Sequence, residues 1–167
     1  MTRVVGIVAC SKTKAAHAAP AVELYQGRTF RAAVEYLRGR GVARIVILSA
    51  LHGAVDESQQ LEPYELALYA MPAESRRQWA AKARAQLADI VGDAHALAIV
   101  PAAYAPALEH LASFERLFAG LEQGRLYSAL ASAVDVQRVA RGEEPRRHQD
   151  GNALARIIAK HARKGTT

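Results

Sequence analysis

Along the chain, uninterrupted apolar runs alternate with segments whose apolar residues recur at helical spacing. Val4 to Ala9 is a continuous apolar run with β-branched residues, and "ARIVILSA" (residues 43–50) and "HALAIVP" (residues 95–101) have the same character. Runs without polar interruption mark strands covered on both faces, as in a parallel sheet. Between the first two, Phe30, Ala33, Val34 and Leu37 share one helical face, and Gly39 or Gly41 supplies a stop. Between the second and third, Pro72 suits the first helical position and Glu74 the first turn, while Trp79, Ala83, Leu87 and Ile90 repeat at i, i+4, i+8 and i+11. The order β-α-β-α-β implies right-handed crossovers. It predicts an α/β fold: a single three-layer domain over residues 1–167, with a mostly parallel sheet of about four strands and helices on both faces.

Beyond Pro101 the pattern is less regular. "AYAPALEHLASF" predicts a helix, and "GRLYSALASAVDVQRVARG" a further helix or a mixture of strand and helix. "RGEEPRRHQDG", charged and carrying both Pro and Gly, predicts an exposed loop. "GNALARIIAKHARK" predicts a last helix over about residues 151–164, with Leu154, Ile157, Ile158 and His161 inward.

Composition adds restrictions. Of the 167 residues 51% are apolar but only 6% aromatic, so the expected core is built from Val, Ile, Leu and Ala. A single cysteine cannot make an internal disulfide, and the apolar stretch near the N-terminus is too short for a signal peptide. No stretch approaches the ~18 consecutive apolar residues of a membrane span. The expectation is a reduced, cytosolic protein with no membrane partner.

The formal charge of +6 is unevenly spread. Residues 138–164 hold eight Lys/Arg against three acids, net +5, which leaves 14 basic and 13 acidic residues in the rest. Arg146, Arg147, Arg156 and Lys160 are therefore the candidates for contact with a nucleic acid. A solvated basic tail would have the same composition.

In an open parallel sheet, ligands bind beyond the carboxyl ends of the strands. Three segments meet that condition. The first, "CSKTK", offers Cys10, Ser11, Lys12 and Lys14 as an anion cradle. It lacks the glycines of a Walker loop or a dinucleotide fingerprint, so neither a nucleoside triphosphate nor a nicotinamide cofactor is indicated. Cys10 has three readings: a small residue closing a strand, a thiol contacting a ligand, or a thiolate nucleophile. The second segment, about twenty residues from Leu51 to Met71, is long for a strand-to-helix connection and holds His52, Asp56, Glu62 and Tyr64. His52 is the natural proton carrier near neutral pH, and Asp56 or Glu62 could orient it, act as a base or stabilise a cation. The third segment, "PAAYAP", adds Tyr104. With one cysteine and scattered histidines, no metal site is indicated.

These segments carry a resemblance. "VACSKTKAAHAAPAVELYQGRTF", "ILSALHGAVDESQQLEPYELAL" and "RRQWA" resemble a family of small bacterial and phage proteins known only as a domain of unknown function. Its pattern of Cys-Ser-x-x-Lys, Pro-Ala-x-x-Leu-Tyr-x-Ser-x-x-Phe, Leu-Ser-Ala-x-x-Gly-Leu, Pro-Tyr and a helical Trp is met by Cys10, Ser11, Lys14, Pro20, Ala21, Leu24, Tyr25, Phe30, Leu48, Ser49, Ala50, Gly53, Pro63, Tyr64 and Trp79. Gly27 and Ala54 depart from it, and the likeness extends to about Leu130. More distantly, the Ser-Ala-x-x-Gly and Pro-Tyr elements are similar to YaaA peroxide-stress proteins and to the archaeosine synthase core domain, whose folds are akin to uracil-DNA glycosylases.

That wider likeness implies work on DNA, RNA or a nucleobase-containing small molecule. In an enzyme acting on a base or an N-glycosidic bond, Asp56 or Glu62 would activate water, His52 or Tyr64 would hold the base, and Ser11, Lys12 and Lys14 would hold phosphate. The alternatives are a non-catalytic DNA- or RNA-binding protein and a small-molecule enzyme with Cys10 as nucleophile.

Overall fold

The computed structural model describes residues 3–146. The chain opens with β1 (Val4–Ala9), whose partners both come from far along the sequence. A loop leads to the two-residue β2 (Ala19–Pro20), the short α1 (Ala21–Leu24) and α2 (Arg28–Gly39). Next come β3 (Arg44–Ser49), β4 (Gly53–Asp56) and β5 (Gln60–Leu61), then a 3-10 turn (Leu68–Ala70) and α3 (Ala73–Val91). The last elements are β6 (His95–Ile99), a 3-10 segment (Ala102–Leu108), β7 (Phe114–Arg116) and α4 (Gln123–Ala140).

The main sheet has the order β4-β3-β1-β6-β7. All its pairs are parallel except β3 with β4. Val5 stands between Arg44 of β3 and Ala96 of β6, which fixes the register on both sides of the central strand. One face packs under α2 and α4, through Val8, Ile45, Ile47, Leu97 and Ile99 against Val34, Leu37, Leu126 and Leu130. The other packs under α3 and the 3-10 segment, through Ile7, Val46, Leu48 and Ala98 against Trp79, Ala83, Leu87 and Leu108. The expected three-layer α/β architecture is present, with five strands in the main sheet where about four were expected.

Gly6 sets the spacing on the α2 side. A Cβ there would lie 2.7 Å from Ile45 Cδ1 and 3.1 Å from Leu37 Cδ1, so only glycine lets Leu37 of α2 sit this close to the strand.

Two stretches differ from the sequence expectation. The connection from Leu51 to Met71 is structured: β4 folds back on β3, and β5 pairs antiparallel with β2. Its middle is tied down further, since Ala21 N–H donates to Gln59 O and Val22 N–H to Glu57 O. Strands of four and two residues are too short to show a period of two, so periodicity could not reveal them. The helix expected after Pro101 is a seven-residue 3-10 segment followed by β7. Pro106 lies inside that segment and has no N–H to donate, which stops an α-helix from propagating. The stretch from Gln123 is one helix, and the helix expected over about 151–164 falls outside the described residues. No helix among the described residues is long and apolar enough to cross a membrane.

The β3–β4 hairpin turns through Ala50, Leu51 and His52 into Gly53, whose φ of +80° is favourable only for glycine. Gln86 of α3 clamps the turn: its amide donates to His52 O at 3.1 Å, and its carbonyl accepts from Ala54 N–H at 2.9 Å. A Cβ at Gly53 would collide with that same Gln86 carbonyl. Gly53→Ala is expected to destabilise the fold by about 2 kcal/mol or more, from the left-handed backbone and the lost clamp together. Urea titration followed by circular dichroism measures the change.

Candidate functional site

The connection after β1 runs to α2 on one face of the sheet, and the connection after β3 runs to α3 on the other. Neighbouring parallel strands whose connections diverge in this way open a crevice at their carboxyl ends. Cys10 closes β1 at this point and Ser49 closes β3.

Ser49 is fully buried and engages every group it brings. Its Oγ shares a 2.7 Å hydrogen bond with Tyr64 OH and accepts His52 N–H at 3.1 Å. Its carbonyl accepts the Trp79 indole N–H at 2.8 Å. Tyr64 OH also meets Tyr25 OH at 3.0 Å, and Tyr25 is itself fully buried. Burial raises the Tyr25 and Tyr64 phenols above the ordinary value, so both stay neutral hydrogen-bonding groups. A second arm starts at Cys10, whose thiol lies 3.4 Å from Tyr104 OH, while the Tyr104 ring packs edge-on against Trp79. Tyr104 is likewise raised, by burial first and by Cys10 second.

Toward solvent, Lys14 lays its ammonium 4.2 Å from the centre of the Tyr64 ring and 5.8 Å from that of Tyr25. The ammonium donates to Lys12 O at 3.2 Å and forms no ion pair with a carboxylate among the described residues. His52 stands edge-to-face with Tyr64, centroids 5.5 Å apart. Burial, and then the charge of Lys82, lower its pKa from 6.5, so the imidazole is neutral and proton-accepting at pH 7.

The residues named from sequence divide into groups. Lys14, Tyr64, His52, Cys10 and Tyr104 do gather at the crevice. Ser11 borders it as a clamp: its hydroxyl donates to Thr13 O and accepts Gly27 N–H, joining the loop to the start of α2. Lys12 points its side chain to solvent and contributes its carbonyl. Glu62 is exposed on the segment that carries Tyr64. Asp56 lies elsewhere, paired with Val46 toward the other end of β3, and its carboxylate accepts from Ser58 and faces Arg44 at 3.7 Å. The antiparallel return of β4 carries it away from the rim, so Asp56 takes no part in this site.

Cys10 is half-buried and packs against the cores on both faces of the sheet, as the residue that closes the strand. Of the four basic candidates, Arg146 is described and pairs with Glu35; Arg147, Arg156 and Lys160 lie outside the described residues. Among the described residues no three His, Cys, Asp or Glu side chains gather to hold a metal ion. Tyr25, Ser49, Trp79 and Gln86 also build the site: the first three stand in the family pattern, which marked their positions but not their contacts, while Gln86 left no signal in the sequence.

A family model described as a family of unknown function (DUF6884) matches residues 5–131, about three quarters of the chain. The chain belongs to this family. Every element that builds the crevice, from Cys10 to Tyr104, falls within the DUF6884 match. Comparison with curated proteins and with solved structures returns no match.

The network makes a prediction about its two inner phenols. Tyr64→Phe removes the partner of both Tyr25 OH and Ser49 Oγ and should cost about 1–3 kcal/mol, whereas Tyr25→Phe leaves Tyr64 bonded to Ser49 and should cost less, about 1 kcal/mol. Paired urea unfolding curves give the ranking. His52 predicts an acid dependence. Its folded-state pKa lies below its unfolded value, so its contribution is complete above pH 6.5 and is lost as the pH falls through the folded pKa. Melting temperatures of wild type and His52→Asn across that range should converge on the acid side.

Proposed function

We propose that the protein binds a nucleobase-containing ligand at the crevice between β1 and β3, with a phosphate on Lys14 and the base against the His52 and Tyr64 rings. The observation that carries this reading is the Lys14 ammonium, held over the Tyr64 ring with no carboxylate partner among the described residues. A half-buried cation in that position favours an anion arriving from solvent. The adjoining rings supply π-faces, which suit a base of any identity. The distant likeness to YaaA proteins and to the archaeosine synthase core domain supports the same ligand class.

The crevice also limits the chemistry available to such a ligand. Proton transfer would fall to His52, held neutral, with Glu62 a carboxylate on the segment that carries Tyr64. Cys10, bonded to Tyr104 and packed between the two cores, serves as support in this reading and not as a nucleophile.

Trp79 is the sole tryptophan and touches both Ser49 and Tyr104, so its fluorescence reports on the crevice. Titration with nucleoside monophosphates should quench or shift that emission. Lys14→Ala should weaken binding roughly ten- to a hundredfold, the worth of one charge-assisted hydrogen bond. The reading fails if no monophosphate binds, if Lys14→Ala binds as tightly as wild type, or if inorganic phosphate binds as well as the nucleotides.

A further inference from the structure

Beside the crevice, a cleft of about 200 Å³ opens over the seam of α2 and α4, lined by Arg28, Arg31, Ala32, Tyr127, Val134 and Arg146, among others. Three of those residues are arginines. The two helices pack side by side in the same direction, with Arg28 near Tyr127 at their starts and Gly39 near Gln137 at their ends. Both therefore begin at the rim.

The cleft is joined to the proposed ligand site by backbone. Ser11 accepts Gly27 N–H, and Gln26 N–H donates to Thr13 O, so the loop carrying Lys14 is stitched to the residues just before Arg28. Arg28 stacks its guanidinium 4.7 Å from the centre of the Tyr127 ring. A stacked guanidinium keeps its edge and its hydrogen-bond donors free for a planar pair of oxygens. Arg31, one turn on, is exposed and makes no ion pair with any described residue. The neighbouring carboxylate, Glu35, is already engaged by Arg138 and Arg146. Among the described residues, Arg28 and Arg31, at the rim end of this face and joined by backbone to the loop of Lys14, have no carboxylate partner.

Size decides what the cleft can hold. Sites for whole small ligands run to about 300–1,000 Å³, so this cleft suits a single anionic group that belongs to something larger. We propose that Arg28 and Arg31 bind a backbone phosphodiester of a single-stranded oligonucleotide whose neighbouring base occupies the crevice. The ligand of the crevice is then one unit of a strand. This inference rests on the nucleobase reading above and extends it.

The test compares a nucleoside monophosphate with a short single-stranded oligodeoxynucleotide, using Trp79 fluorescence and the full chain; an oligoribonucleotide of the same sequence shows whether the sugar matters. The oligonucleotide should bind more tightly than the monophosphate. The slope of log affinity against log salt should drop by about 0.7 for each of Arg28→Gln and Arg31→Gln, and Arg31→Lys should restore it. Monophosphate affinity should not change in either variant. If the monophosphate binds and the oligonucleotide gains nothing, or if its salt slope is unchanged in the double variant, the strand inference fails while the nucleobase reading stands. If neither ligand binds wild type, both fail.

Discussion

The rim depends on one buried hydroxyl. Ser49 closes β3 with no contact to water, and its Oγ and carbonyl together hold Tyr64, the His52 amide and the Trp79 indole. Those three come from the segment after β5, the β3–β4 turn and α3. A buried polar group left unpaired costs about 1–3 kcal/mol, so each of these elements is held in place by the cost of leaving Ser49 unsatisfied. The phenols of Tyr25 and Tyr64 extend the same constraint to the connection that precedes α2.

Around that anchor the charges are sorted. Arg38 pairs with Glu57, Arg44 with Asp56, and Arg138 and Arg146 with Glu35, all on flanks of the molecule. Among the described residues, Lys14, Arg28 and Arg31 have no carboxylate partner, and they lie where β1 gives way to α2. The net charge of +6 says nothing of this arrangement. Asp56 and Glu57 are carried off by the antiparallel return of β4, and Glu35 is turned toward α4.

Much of the framework was legible in the sequence because buried parallel strands and amphipathic helices leave long, regular apolar signals. The runs at Val4 to Ala9 and from Ala43, and the helical face of Phe30, Ala33, Val34 and Leu37, map onto β1, β3 and α2 with little adjustment. Short elements leave no such signal, which is why β4, β5 and β7 escaped. Within the site, position relative to strand ends placed Cys10, Lys14, His52 and Tyr64 together. Asp56 looked equivalent to Glu62 along the chain, and only the reversal of β4 separates them. Ser49 and Trp79 bind to each other across 30 residues, a relation no local pattern expresses.

The strand order also has a kinetic side. β1 is first in the chain but central in the sheet, and it cannot be flanked until β3 and β6 exist. Cys10 and Tyr104, which meet at the crevice, are 94 residues apart. During synthesis β1 can pair with β3 once Ser49 has emerged but gains its second neighbour only with β6 (His95–Ile99), and sheets closed by such distant pairings form slowly. A nascent chain that stalls before Tyr104 therefore holds the loop of Lys14 without the Tyr104 hydroxyl that Cys10 meets.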